Sequence, residues 1–190
     1  MKSYTKMILK GIRASLFIAL GVAVLLTIGN PIGPFLFAVG LLAVCTINYG
    51  HLFTGLCGYI NNKEKVLEGM IILIANLISG FIFGWLLSIA NPALQEVAIT
   101  KVNSWLDINI LSFFIRSCFC GVIMYLAVDI YKQTSSPFGI LLGVPAFIFC
   151  GFQHSIANMI TCGVAHSINY TIPLCVAGNW LGSYITRKLS

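Results

Sequence analysis

In 190 residues the chain carries only 8% charged side chains against 58% hydrophobic ones, where a soluble domain holds about 25% charged residues. Too little polarity remains to cover a water-facing surface, which excludes a soluble globular domain and implies an integral membrane protein. The formal net charge of +6 does not point to nucleic acid, because the basic residues sort by position around apolar spans.

The chain opens with Lys2, Lys6, Lys10 and Arg13 ahead of an apolar run. The layout is similar to a secretory leader, but no secreted domain follows, so a retained first helix with a basic leader is expected. The spacing of the four basic residues suits one face of an interfacial helix as well as an ordinary basic flank. Ala14 to Asn62 then runs for 49 residues without Asp, Glu, Lys or Arg. One crossing takes about 20 apolar residues, so this run holds two spans, expected at 12–29 and 35–60. The second is interrupted by "YGHLFTGLCG", Tyr49 to Gly58, with His51, Thr54 and three glycines.

Gly69 to Gln95, 27 uncharged residues, predicts a third span at 68–90. The turns "NPI" at Asn30 and "NPA" at Asn91 stand at span ends, where proline discourages continuation. They are not the mid-membrane half-helix starts of aquaporins. A fourth span is expected at 108–130, carrying Arg116 within it and Asp129 near its end. Gln133 to Thr186, 54 uncharged residues, supplies a fifth at 138–166 and a sixth at 170–187. Outer-membrane-type barrels need short strands of alternating polarity, which these runs lack.

If the N-terminus is cytoplasmic, Lys2, Lys6, Lys10, Arg13, Lys63, Lys65, Lys132, Arg187 and Lys188 all fall inside, and only Lys101 lies in an outer loop. This positive-inside bias predicts six spans with both ends in the cytoplasm, in the cell's inner membrane. The seven cysteines form no zinc-like spacing and read as small packing residues. No cofactor or metal is expected.

The chain also repeats itself. "IANLISGFIFG", Ile74 to Gly84, and "VAGNWLGSYI", Val176 to Ile185, place Asn76 and Asn179 at matching positions. Each holds a G-x-x-x-G spacing, Gly80 with Gly84 and Gly178 with Gly182, which lets helix backbones approach closely in lipid. "CGFQHSIANM", Cys150 to Met159, interrupts the fifth span as Tyr49 to Gly58 interrupts the second. Three spans separate the halves, so their topologies are inverted. Interrupted helices at matching positions of inverted halves point to a transport site, since irregular backbone at membrane depth survives only in protein or along a cavity.

"GHLFTG", "GFQHSIANM" and "AGNWLG" resemble the signatures of formate/nitrite transporters, over nearly the whole chain to Arg187. The resemblance implies homopentamers with one pore per subunit, an aquaporin-like fold, and passage of small monovalent weak-acid anions such as formate, nitrite, hydrosulfide or lactate. It implies that His154 sits mid-pore near Thr54, and that Phe53 and Phe147 stand where the family places gate residues. Leu52 and Leu42 are further candidate constrictions. Asn158, Ser155 and Thr54 are expected to satisfy backbone freed at the breaks or to orient His154. Routine helix packing competes with every one of these phenylalanine and polar assignments.

A bare anion in a low-dielectric interior faces a cost of tens of kcal/mol, and a small neutral polar molecule only a few. A path that protonates the anion near His154 can therefore use apolar constrictions, and histidine is the side chain whose charge changes most easily near neutral pH. Whether His154 donates the proton or polarises water stays open. The chain departs from the family pattern at Gln153 and His51, where acidic residues are usual. Tyr125 stands where a pore asparagine is expected, and Asn109 where a basic vestibule residue is often found. An intramembrane charge marks function by default. Arg116 could thus draw anions at an outer vestibule, snorkel outward, or hold a neighbouring subunit. Asp129 reads as a solvated boundary residue, and His166 as surface.

The expected fold is an all-α membrane protein: six transmembrane helices in one domain, 1–190, built as inverted repeats at about 12–90 and 108–187 with broken second and fifth helices. Its expected function is a channel or transporter for a small weak-acid anion, not an enzyme. A neutral-solute channel or a non-conducting membrane scaffold are the alternatives.

Overall fold

The computed structural model describes residues 2–46 and 51–190 and is helical nearly throughout. Part of the interrupted stretch at Tyr49 therefore lies outside the described residues. Helix α1 spans Lys2–Ile28, and α2 spans Gly33–Thr46. A short helix α3, Phe53–Leu56, runs into a 3-10 turn at Cys57–Tyr59. Then come α4 at Lys63–Ala90, α5 at Ala93–Leu106 and α6 at Ile110–Thr134. The chain closes with α7 at Phe138–Phe149, α8 at Ser155–Val164 and α9 at Thr171–Leu189.

Among the described residues three helical stretches are long and apolar enough to cross a membrane: Tyr4–Ile28, Lys63–Ala90 and Ile110–Thr134. Helices α2, α7 and α8 are shorter apolar pieces. The protein is a multi-pass membrane protein. The basic leader is no separate element: Lys6, Lys10 and Arg13 lie within the continuous helix α1. Asn91 closes α4 and Pro92 precedes α5, so "NPA" is the turn expected from its proline.

Helix α5 is the element that span counting passes over. Leu94, Ala98, Val102 and Trp105 are buried while Glu96 and Lys101 stay exposed, the one-faced pattern of an amphipathic helix. It packs on α8 and touches α1 and α4, so it lies across the bundle at the end of α1 remote from the chain termini.

The most extensive helix contacts are α6 with α9, α4 with α8, and α1 with α2 and α4. Glycine sets the first two. A Cβ on Gly84 would collide with the Ile160 carbonyl, and one on Gly163 with the Phe81 carbonyl, at the α4–α8 crossing. A Cβ on Gly182 would collide with the Cys118 carbonyl, and one on Gly121 with the Asn179 carbonyl, at the α6–α9 crossing. The two G-x-x-x-G spacings thus serve different interfaces. Gly80–Gly84 joins α4 to α8, whereas Gly178–Gly182 joins α9 to α6.

Candidate functional site

At His51 to Phe53, ahead of α3, and between α7 and α8, backbone groups lie outside helical hydrogen-bond ladders. An unpaired backbone polar group there costs free energy comparable to a lost hydrogen bond. One buried asparagine repairs each gap. The Phe53 N–H donates to Asn76 Oδ1 at 2.8 Å. Asn76 Nδ2 donates to the carbonyls of His51 at 3.0 Å and Gly11 at 2.9 Å. In the other half, the Ser155 N–H donates to Asn179 Oδ1 at 2.9 Å. Asn179 Nδ2 donates to the carbonyls of Gln153 and Ser117, both at 2.8 Å. Each amide uses its acceptor and both its donors, and each ties the break to the first long helix of its half, α1 or α6.

The parallel extends further. The His51 N–H donates to the Lys10 carbonyl at 3.2 Å, and the Gln153 N–H to the Arg116 carbonyl at 3.5 Å. Gly151, at φ +67°, supplies the left-handed turn that separates α7 from α8, a conformation glycine adopts without steric cost.

His154 caps α8: its Nδ1 accepts the Ala157 N–H at 3.1 Å. That bond assigns the ring proton to Nε2, which lies 2.8 Å from Thr54 Oγ1. The two residues are 2% and 0% exposed, so the contact joins α3 and α8 out of reach of solvent. Phe147 stacks on the imidazole, with centroids 5.8 Å apart, and Phe37 meets Phe147 edge-on at 6.2 Å.

Cavities approach this contact from both ends. One, of about 520 Å³, is lined by Leu41, His51, Leu52, Gly55, Tyr131 and Lys132, among others. It lies toward the face that carries the chain termini. The second is a chamber of only about 70 Å³, lined by His154, Gln153, Asn158, Phe37, Phe147 and Lys101, among others. Beyond it an open depression of about 540 Å³, lined by Glu96, Lys101 and Ser104, leads outward. Among the described residues Leu52 lines the larger cavity and His154 the smaller, and the His154–Thr54 contact links α3 to α8.

The sequence candidates sort against this geometry. His154, Thr54, Gln153, Asn158, Leu52, Phe147 and His51 surround the contact or line the two cavities. Gln153 and Asn158 satisfy one another: Asn158 Nδ2 donates to Gln153 Oε1 at 2.9 Å, and Gln153 Nε2 donates to the Gly151 carbonyl at 2.9 Å. Ser155 keeps a buried hydroxyl without a partner.

Other candidates are placed elsewhere. Phe53 lines a separate apolar groove with Ile60, Leu73 and Trp180, because it occupies the helix face toward α4 and α9. Leu41, not Leu42, lines the larger cavity, a one-residue change of face on a helix that is apolar all round. Tyr125 lines neither cavity; it stacks on Tyr59 with centroids 5.4 Å apart. Arg116 lines neither as well. It is half-buried beside the Gly151 turn, where a Cβ on that glycine would lie 3.5 Å from the guanidinium. Asn109 is the N-cap of α6, accepting the Leu111 N–H at 2.9 Å.

The cation that lines the chamber is Lys101, on α5. The buried spacing Leu94, Ala98, Val102, Trp105 was the available signal for the helix that carries it. Asp129 is engaged: Tyr59 Oη donates to its Oδ1 at 2.5 Å and Gln133 Nε2 to its Oδ2 at 2.6 Å. His166 is exposed, as expected, with Nε2 2.7 Å from Ser88 Oγ. Among the described residues no group of His, Cys, Asp and Glu is placed to hold a metal ion.

Residues 1–186 match the family described as Formate/nitrite transporter. A solved structure described as "Pentameric formate channel with formate bound" superposes with a TM-score of 0.78 at 19% identity, covering 99% of this chain and 94% of that one. Another, an "FNT family ion channel", gives a TM-score of 0.78 at 20% identity over 96% and 86% of the two chains. At these identities the likeness shows the fold. No curated protein matches the sequence.

Proposed function

The chain belongs to the formate/nitrite transporter family, and on that premise we propose that it is a membrane channel for a small monovalent weak-acid anion of the formate, nitrite or hydrosulfide class. The observation that carries the reading is the buried His154–Thr54 contact, with His154 lining one cavity and Leu52, two residues before Thr54, lining another. In this reading α2 with α3, and α7 with α8, each make one interrupted crossing, so that six spans form two inverted repeats. The termini face the cytoplasm, and the protein sits in the cell's inner membrane as a homopentamer with a path through each protomer.

The path runs from the depression under α5, past Lys101, into the small chamber, across His154 and Leu52, and into the larger cavity. Lys101 draws the anion in. Phe37, Phe147 and Leu52 then form apolar walls that a bare anion crosses only at the Born cost of tens of kcal/mol, while its neutral conjugate acid pays a few. The anion therefore takes up a proton beside His154. His154 marks that position without becoming charged. An imidazolium bears protons on both nitrogens, and its Nδ1 would have to give up the Ala157 N–H that it now accepts. Nε2–H is left to hold the anion once Thr54 yields, and the proton arrives with water from the vestibule.

The test is uptake of formate, nitrite and hydrosulfide into proteoliposomes at two pH values, for the wild type and His154→Ala. Flux that rises as pH falls and drops at least about tenfold in the variant, the factor that about 1.4 kcal/mol makes, is the expected result. Flux indifferent to pH and to His154 would replace the reading with a neutral-solute pore. A folded protein that passes none of the three would be a scaffold.

A further inference from the structure

The larger cavity has a charge arrangement that the path itself does not require. Lys132, in the last turn of α6, lines it together with His51, Cys45, Thr46, Tyr131 and Ser135, and among the described residues its lining contains no Asp or Glu. Asp129 sits one helical turn before Lys132, the spacing at which opposite charges on a helix pair. Instead both Asp129 oxygens are occupied, one by the Tyr59 hydroxyl and one by Gln133. The Lys132 ammonium lies 3.5 Å over the centre of the Tyr59 ring, and the Arg187 guanidinium 4.7 Å from the same ring. The phenol thus holds the carboxylate at its hydroxyl and the cation against its face. The carboxylate is kept with Tyr59 and Gln133, and the positive charge is left on the cavity wall.

The groups around His51 have the same sign or none. Lys10 of α1 acts on it electrostatically, Cys45 of α2 and Tyr131 of α6 share its cavity, and Leu52 follows it at the start of α3. A cavity of about 520 Å³ with a lysine ammonium on its wall and low-dielectric surroundings concentrates anions.

We propose that this cavity is a second anion site, centred on the Lys132 ammonium, at which small monovalent anions gather on the terminal face before they reach Leu52. The proposal deepens the transport reading above and rests on it for the identity of the anion. Tyr59 positions Lys132; Asp129 also acts on the ammonium directly, and Arg187 and Lys65 add positive charge beside it.

The experiment has two arms. In the first, formate flux from the terminal face and from the opposite face is measured against concentration in oriented proteoliposomes. Lys132→Gln is expected to raise the half-saturating formate concentration about fivefold for loading from the terminal face only, and Lys132→Arg to keep it near the wild-type value. Merely structural damage would affect both directions alike and would not be rescued by arginine. Should Lys132→Gln lose the wild-type elution profile, Ser135→Asp serves instead: it puts a carboxylate in the cavity wall at a left-handed position (φ 57°) that aspartate tolerates.

In the second arm, broadening of the carbon-13 formate signal is measured with purified protein in nanodiscs, in a Lys101→Gln background that removes the other cation. Broadening that disappears in Lys132→Gln and persists in Lys132→Arg is the expected result. A wild type that binds formate through Lys132 but does not pass it would overturn the transport reading and leave this site standing. Unchanged saturation and unchanged broadening in both Lys132→Gln and Ser135→Asp would overturn the site and leave the transport reading intact.

Discussion

At the scale of single residues, the chain solves with neutral groups what its relatives' pattern assigns to carboxylates. Gln153 accepts from Asn158 through Oε1, as a carboxylate oxygen could, and spends its extra N–H on the Gly151 carbonyl. Restoring an acid by Gln153→Glu removes that donor and places a negative charge on the wall of the small chamber. Formate flux at neutral pH should fall several-fold and recover as the medium is acidified and the new carboxyl is neutralised; a flat profile would show that Gln153 does not face the path. Thr54 is the other informative position. Thr54→Val keeps the shape but leaves His154 Nε2–H without its 2.8 Å partner, at a cost of about 1–3 kcal/mol for an unsatisfied buried donor. The variant should be less stable than Thr54→Ser in thermal unfolding, and equal melting of the two would deny the bond any importance.

At the scale of elements, the two broken helices depend on Asn76 and Asn179. Asn179→Ala removes the acceptor of the Ser155 N–H and a donor to the Ser117 and Gln153 carbonyls at once, leaving the Gln153 carbonyl only the Cys175 thiol at 3.1 Å. The expected loss is about 3 kcal/mol or more, read as a lowered melting temperature in detergent, with Asn76→Ala behaving alike if the halves are equivalent. Gly182→Leu should prevent folding altogether, because α6 and α9 meet there backbone to backbone, and close packing leaves no room for the added volume. The breaks themselves were legible from glycines and polar residues inside apolar runs. The helix α5 was legible too, in its buried spacing, but a count of uncharged runs treats everything between spans as loop. Lys101 was consequently assigned to a loop and the vestibule role offered to Arg116, whose side chain stands beside Gly151 instead. The face a residue takes on α2 was not legible: the helix is apolar all round, so nothing in its periodicity separates Leu41 from Leu42.

For the whole molecule, the proposed pentamer would give large side chains on the outer surface a neighbour to meet. Phe35 and Phe149 are about half exposed, yet their rings meet at 5.8 Å, a surface pair that lipid or a neighbouring subunit would cover. Native mass spectrometry from nanodiscs should show five protomers, and a monomeric particle that still conducts would separate transport from assembly. The proposed inverted-repeat topology predicts that reagents restricted to one side of the membrane label the N- and C-termini together, from the same face as Lys132.

By itself the sequence determined the solvent, the all-helical class, and the apolar runs with the polar residues and glycines that interrupt them. These follow from local quantities: charge density, the length of an uncharged run, and polar residues or glycine within it. The tertiary structure alone decided which polar groups meet. His154 and Thr54 lie 100 residues apart, and nothing local to either specifies that α8 and α3 point their first turns at each other. The same holds for Asp129. Its chain neighbours offer it Lys132, but Tyr59, 70 residues away, takes its oxygen and leaves the lysine to the cavity. Side chains in a membrane protein pair according to the cheapest way to satisfy every buried donor and acceptor together, and that sum exists only in the folded bundle.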